Sequence, residues 1–84
     1  MQRSLAEETS LLAIRINADL NRHLVKLQSQ LDPNEFNKYR RGFGRVMGAL
    51  LIELANPIYS EHPDLKPKQM AGTYEVPSNV LGPE

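Results

Sequence analysis

The side chains able to do chemistry are few and lie far apart. His23 and His62 are the only histidines. They form no His-x-x-x-His or His-Glu-x-x-His pattern, so nothing in their spacing supports an imidazole-held metal. Asp19 and His23 stand four residues apart, where a helix would bring them within hydrogen-bonding reach and raise the imidazole pKa. Ordinary surface pairs share that spacing, so a catalytic dyad is not expected. Glu61-His62-Pro63-Asp64 gathers two carboxylates and an imidazole in four residues, and on a proline turn they read as a solvated loop rather than a ligand set. Gly42-Phe43-Gly44 lacks the third glycine, the following Lys-Ser/Thr and the preceding strand of a phosphate-binding loop. With no cysteine, thiol nucleophiles, thiolate zinc sites and disulfides are excluded. The expectation is therefore no enzyme: no catalytic residue, cofactor or metal.

Charge is more informative. The chain holds ten basic and ten acidic residues, yet Lys38, Arg40, Arg41 and Arg45 fall between Glu35 and Glu53 with no acid among them. Lys38, Arg41 and Arg45 share one helical face, and in a bundle they would meet a strip of Arg15, Arg22 and Lys26. Solvated face is the first reading of this cluster, followed by a surface for an acidic protein and then for nucleic acid.

These residues sit on elements that local signals define. Residues 1 to 31 contain no glycine or proline, whereas residues 57 to 84 contain five prolines. Ser4-Leu5-Ala6-Glu7 matches a capping box, with Ser10 a competing cap, and predicts helix 1 over about residues 4–31. Asp32-Pro33-Asn34-Glu35 sets an N-cap, a proline in the first helical position and an acid three residues after the cap, with Leu31 placed to staple onto Phe36. Helix 2 follows over about residues 33–56, with Asn56-Pro57 stopping it or capping a further turn through Ile58 and Tyr59. So short a connection predicts an antiparallel hairpin. The division is a hairpin over 1–60 and an extended, proline-rich arm over 61–84. That arm cannot build a core of its own. Leu65, Met70, Tyr74 and Val76 can pin it to the hairpin, with a disordered arm an equal alternative; a self-wrapping arm is preferred over a docking peptide for another protein, and Pro83-Glu84 is expected to fray.

Each helix shows more apolar surface than a hairpin needs. On helix 1, Leu5, Leu12, Ile16, Leu20, Leu24, Leu27 and Leu31 form a stripe expected to face helix 2. Leu11, Ile14, Ala18 and Val25 form a second. Helix 2 offers Phe36, Tyr39, Phe43, Val46, Met47, Leu50 and Leu54, with Gly44 and Gly48 in a small-residue strip beside them. Glycines within a helix cost about 1 kcal/mol each relative to alanine, so a compensating close approach is expected along Gly44-x-x-x-Gly48. Leu11, Ile14, Ala18, Val25, Gly44 and Gly48 are the expected dimer or partner interface, and Lys38, Arg41 and Arg45 the face for an acidic partner or nucleic acid.

The fold expectation is all-α: an antiparallel hairpin with a C-terminal arm, pairing as a homodimer into a four-helix bundle. A chain of 9.5 kDa buries about 63% of its unfolded surface, a thin core that self-association would support. The expected function is a non-enzymatic protein-protein interaction module of the small regulator, adaptor or toxin-neutralising kind. The alternative is a small dimeric RNA-binding regulator using the basic face. Such a dimer resembles, in architecture only, the RNA-binding bundles that set plasmid copy number. No apolar run is long enough to span a bilayer and no signal-peptide pattern opens the chain, so the expected setting is cytoplasmic, without a membrane.

Overall fold

Leu31 and Asp32 alone separate two long helices, and the second folds back along the first. In the computed structural model, which describes residues 1–80, α1 runs Arg3–Gln30 and α2 Pro33–Ala49. A π-helical segment, Leu50–Ala55, joins α2 to α3, Asn56–Glu61. The arm follows as three single 3-10 turns, Pro63–Leu65, Lys68–Met70 and Ser78–Val80. The fold is mostly helical and has no strand among the described residues. The fraying expected at Pro83-Glu84 lies outside them.

The turn into α2 follows local chemistry. Asp32 Oδ1 accepts the Glu35 N–H at 3.0 Å, and Pro33 occupies the first turn, where its missing donor costs nothing. Helix 1 starts differently from the expected capping box. Its cap residue is Gln2, without a side-chain bond, and the first backbone bond runs from Ala6 N–H to the Gln2 carbonyl at 2.8 Å. Ser4 is thus inside the helix and caps nothing. Ser10 is no cap either: it is buried, and its hydroxyl pairs with the Tyr59 hydroxyl at 2.7 Å.

Helix 2 does not stop at Asn56. Pro57 lacks an N–H and its ring crowds the carbonyl four residues back, which an α-helical turn cannot accommodate. The wider π turn does: Asn56 donates to Leu51, five residues back, and the rod continues through Pro57 to Glu61.

The core lies where α1, α3 and the arm converge. Ala6, Ala55, Ile58, Tyr59 and Leu65 form it, with Met70 and Tyr74 packed against it. Leu65, from the arm, is the largest side chain that is fully buried. The stripe expected to face helix 2 is corrected at its N-terminal end. Leu5 and Leu12 are about half exposed, while Ala6, Ser10 and Ala13 take the buried side. Small residues let the rod approach closely there, and the bulky leucines are displaced to the flank. Ile16, Leu20, Leu24, Leu27 and Leu31 remain half-buried, as a facing stripe requires.

The arm is held in a tight loop. Lys68 N–H donates to the Tyr74 carbonyl at 3.0 Å and Tyr74 N–H to the Lys66 carbonyl at 2.9 Å, a parallel bridge between Pro67 and Tyr74. Gly72 sits so close to Lys66 that a Cβ there would lie 2.0 Å from the Lys66 carbonyl oxygen.

Candidate interaction surface

Salt bridges and hydrogen bonds lock one end of the molecule, leaving the other apolar and open. At the locked end, Arg3 reaches Asp64 with N···O distances of 2.6 and 2.8 Å and Glu7 at 3.6 Å. Glu7 accepts the Tyr74 hydroxyl at 2.5 Å. His62 Nε2 lies 2.9 Å from the Met1 carbonyl, and Glu61 meets the Met1 amine at 3.2 Å. The Glu61-His62-Pro63-Asp64 segment is therefore a clasp onto the start of α1. No metal-binding group of histidines and acids occurs among the described residues.

Arg3 bonding and charge hold the Asp64 carboxyl below its ordinary pKa, and the Tyr74 phenol is pushed up, chiefly by its bond to Glu7. The two shifts act at opposite ends of the pH scale. Asp64 contributes stability above the ordinary carboxylate range, and this contribution is lost on acidification. Tyr74 contributes below about pH 10, the ordinary tyrosine value, and its contribution fades as pH rises through the elevated folded value. Tyr74→Phe is accordingly expected to cost about 1 kcal/mol at neutral pH and to flatten the alkaline limb of stability. Thermal melts followed by circular dichroism from pH 7 to 11 check this: the gap between wild type and variant should narrow above about pH 10, and parallel curves would refute it.

The Asp19–His23 pair does not form. Asp19 is bound by Arg22, and the His23 ring stacks on Phe43 with centroids 6.3 Å apart.

The open end is framed by α1, α2 and the π segment. Not one residue of α2 is buried. Along one edge, Ile14 and Ala18 of α1 meet Met47 and Leu51 in an apolar groove of about 390 Å³ whose far wall is Met70 and Val76 of the arm. Of the six expected interface residues, Ile14 and Ala18 line this groove, while Leu11, Val25, Gly44 and Gly48 do not. Leu11, Ile14 and Ala18 are half-buried and Val25 is 58% exposed. Gly44 and Gly48 lie on α2 in helical register with Met47 and Leu51. A Cβ at Gly42, Gly44 or Gly48 would meet nothing within 4 Å, so neither the arm nor α1 fills the space over them.

The opposite edge holds a second, shallower groove of about 300 Å³, lined by Leu20, Lys38, Tyr39, Gly42, Phe43 and Val46. Tyr39 and Val46 are each about half exposed. Sequence reasoning assigned both to the main inward face. Their exposure follows from an α2 face broader than α1 can cover. Lys38 is part of this groove; Arg41 and Arg45, further along α2, are exposed like it, and none of the three forms an ion pair among the described residues.

Fold and surface together define an all-α hairpin, clasped by its own arm, with two apolar edges left uncovered. No helix among the described residues is long and apolar enough to cross a membrane. Comparison with known proteins matches the chain to no family model, no curated protein and no solved structure.

Proposed function

We propose that the chain is a non-enzymatic protein-protein interaction module, of the small regulator, adaptor or toxin-neutralising kind, working as a homodimer in a four-helix bundle. One observation carries the reading: α2 is a 17-residue amphipathic helix with no buried residue. Helices in water owe most of their stability to burial of an apolar face, so a helix whose Phe36, Phe43 and Met47 are only half-buried calls for a further cover.

The size of the uncovered surface supports the same conclusion. The accessible area is 5991 Å², against about 5,000 Å² for a folded chain of this mass. The radius of gyration is 14.4 Å, against about 12 Å for a compact domain of this length. The excess area, about 1,000 Å², is close to the roughly 800 Å² that each partner contributes to a standard interface. Two hairpins meeting along the Ile14, Ala18, Gly44 and Gly48 edge would remove it through a two-fold, self-complementary contact.

Light scattering on the purified full chain tests the proposal. A mass of about 19 kDa, twice the 9.5 kDa chain, is expected at micromolar concentration and above. A 9.5 kDa species persisting to about 100 μM would overturn the homodimer, since dimers weaker than that leave the face bare at working concentrations.

A further inference from the structure

The second groove, which Lys38 lines, differs from the dimer edge in both position and chemistry. Its floor is apolar, from Leu20, Phe43 and Val46, and Tyr39 stands half exposed at its side. Gly42 lies in it with open space where a side chain would be, so a second backbone can approach closely. Lys38 lines it, and Arg41 and Arg45, which follow Lys38 at helical spacing along α2, are likewise exposed; none of the three has an ion pair among the described residues. Among the described residues the acids of the arm do not compensate this charge, because Glu61, Asp64 and Glu75 are engaged with Met1, Arg3 and Lys68.

We infer that this groove docks an amphipathic helix of a partner protein, with apolar residues on one face and acidic residues beside them. The inference deepens the interaction-module reading and does not require self-association. Charge complementarity selects the occupant. Positions 38, 41 and 45 recur at helical spacing over about 10.5 Å, so acids three and four residues apart on a partner helix laid in the groove meet them in sequence. Steering by this unpaired positive row would raise the association rate, while the apolar floor and the Gly42 gap supply the contact area. RNA fits less well: Tyr39 and Phe43 offer rings on which bases would stack, but Lys38 is the one charged side chain lining the groove and the chain as a whole is neutral.

Three fluorescent helical peptides test this, each with the same Leu and Phe face and with flanking positions all glutamate, all glutamine or all lysine. Anisotropy titration against the full chain should give saturable binding of the glutamate peptide, at least about tenfold tighter than the glutamine peptide. That preference should shrink toward unity near 1 M salt, where the screening length falls to about 3 Å. Arg41→Ala with Arg45→Ala should abolish the preference, and V46E should abolish binding, both changes being on exposed positions whose folding is checked by circular dichroism. Backbone amide shifts should centre on residues 38–46. Four results would overturn the inference: no saturable binding, equal affinity for the glutamate and lysine peptides, shifts centred on Ile14 and Met47, or displacement of the peptide by a single-stranded RNA of about 20 nucleotides. A monomeric mass in light scattering would sink the homodimer and leave this result standing, so the two proposals fail separately.

Discussion

Replacing Leu65 with alanine is expected to lower the melting temperature by about 10–20 °C. Leu65 is 1% exposed and lies among Ala6, Ala55, Ile58 and Tyr59, two of which are alanines with little volume of their own. Truncating a buried leucine costs about 2–5 kcal/mol, through lost transfer energy and the cavity left behind. A domain of this length has only about 4–13 kcal/mol to lose, and in domains this small each kcal/mol moves the melting point by about 4–8 °C. The side chain comes from the arm but fills the space between the hairpin's two ends, so its removal should loosen the arm and the α1–α3 contact together. Far-ultraviolet circular dichroism during heating should therefore show one cooperative transition at lower temperature. A shift of less than about 5 °C would mean that the arm rests on a core that stands without it.

This arrangement also marks where the sequence was legible. Asp32-Pro33-Asn34-Glu35 specified its turn because every interaction involved is local: a side chain, a missing donor and an N–H three residues on. The arm's contribution was not legible in the same way. Leu65, Met70 and Tyr74 were among the side chains expected to pin the arm and do pack into or against the core, but nothing local marks Leu65, far in sequence from Ala6, as the one to be fully buried. Helix 1 misled for a different reason. Ranking positions by hydrophobicity favours Leu5 and Leu12 over Ala6, Ser10 and Ala13, yet close helix approach selects small side chains, and the structure buries the latter row. Tyr59, whose hydroxyl answers Ser10, supplies the polar partner that makes a buried serine tolerable. At Pro57 the sequence left two outcomes open, a stop or a further turn through Ile58 and Tyr59, and the structure takes the second by widening the preceding turn.

The same distinction between local cost and distant compensation makes the glycines of α2 the sharpest probe of self-association. Within one chain, nothing lies within 4 Å of a Cβ built at Gly44 or Gly48. Alanine at both positions should therefore add helix propensity worth about 1 kcal/mol each without a clash. Were α2 solvated in the working molecule, G44A with G48A would simply raise the melting temperature, by roughly 8–16 °C for a domain of this size, and leave the mass unchanged. Packing against a second hairpin along this strip reverses the balance, because added methyl groups and then larger side chains hold the backbones apart. G48L is the decisive variant: the expected result is a fall in mass from about 19 kDa toward the 9.5 kDa of one chain, with helix content retained at concentrations where the wild type is dimeric. Ile14→Glu, in the apolar groove that Met47 and Leu51 of the same stretch also line, should act in the same direction by placing a charge against apolar surface. A dimer whose mass withstands both changes must use another surface, and the glycines would then remain an uncompensated cost to α2. Loss of mass in both variants, with retained helicity and an increase in melting temperature for the alanine pair only under monomeric dilution, would establish that the space above Gly44 and Gly48 is held open for a second copy of this chain.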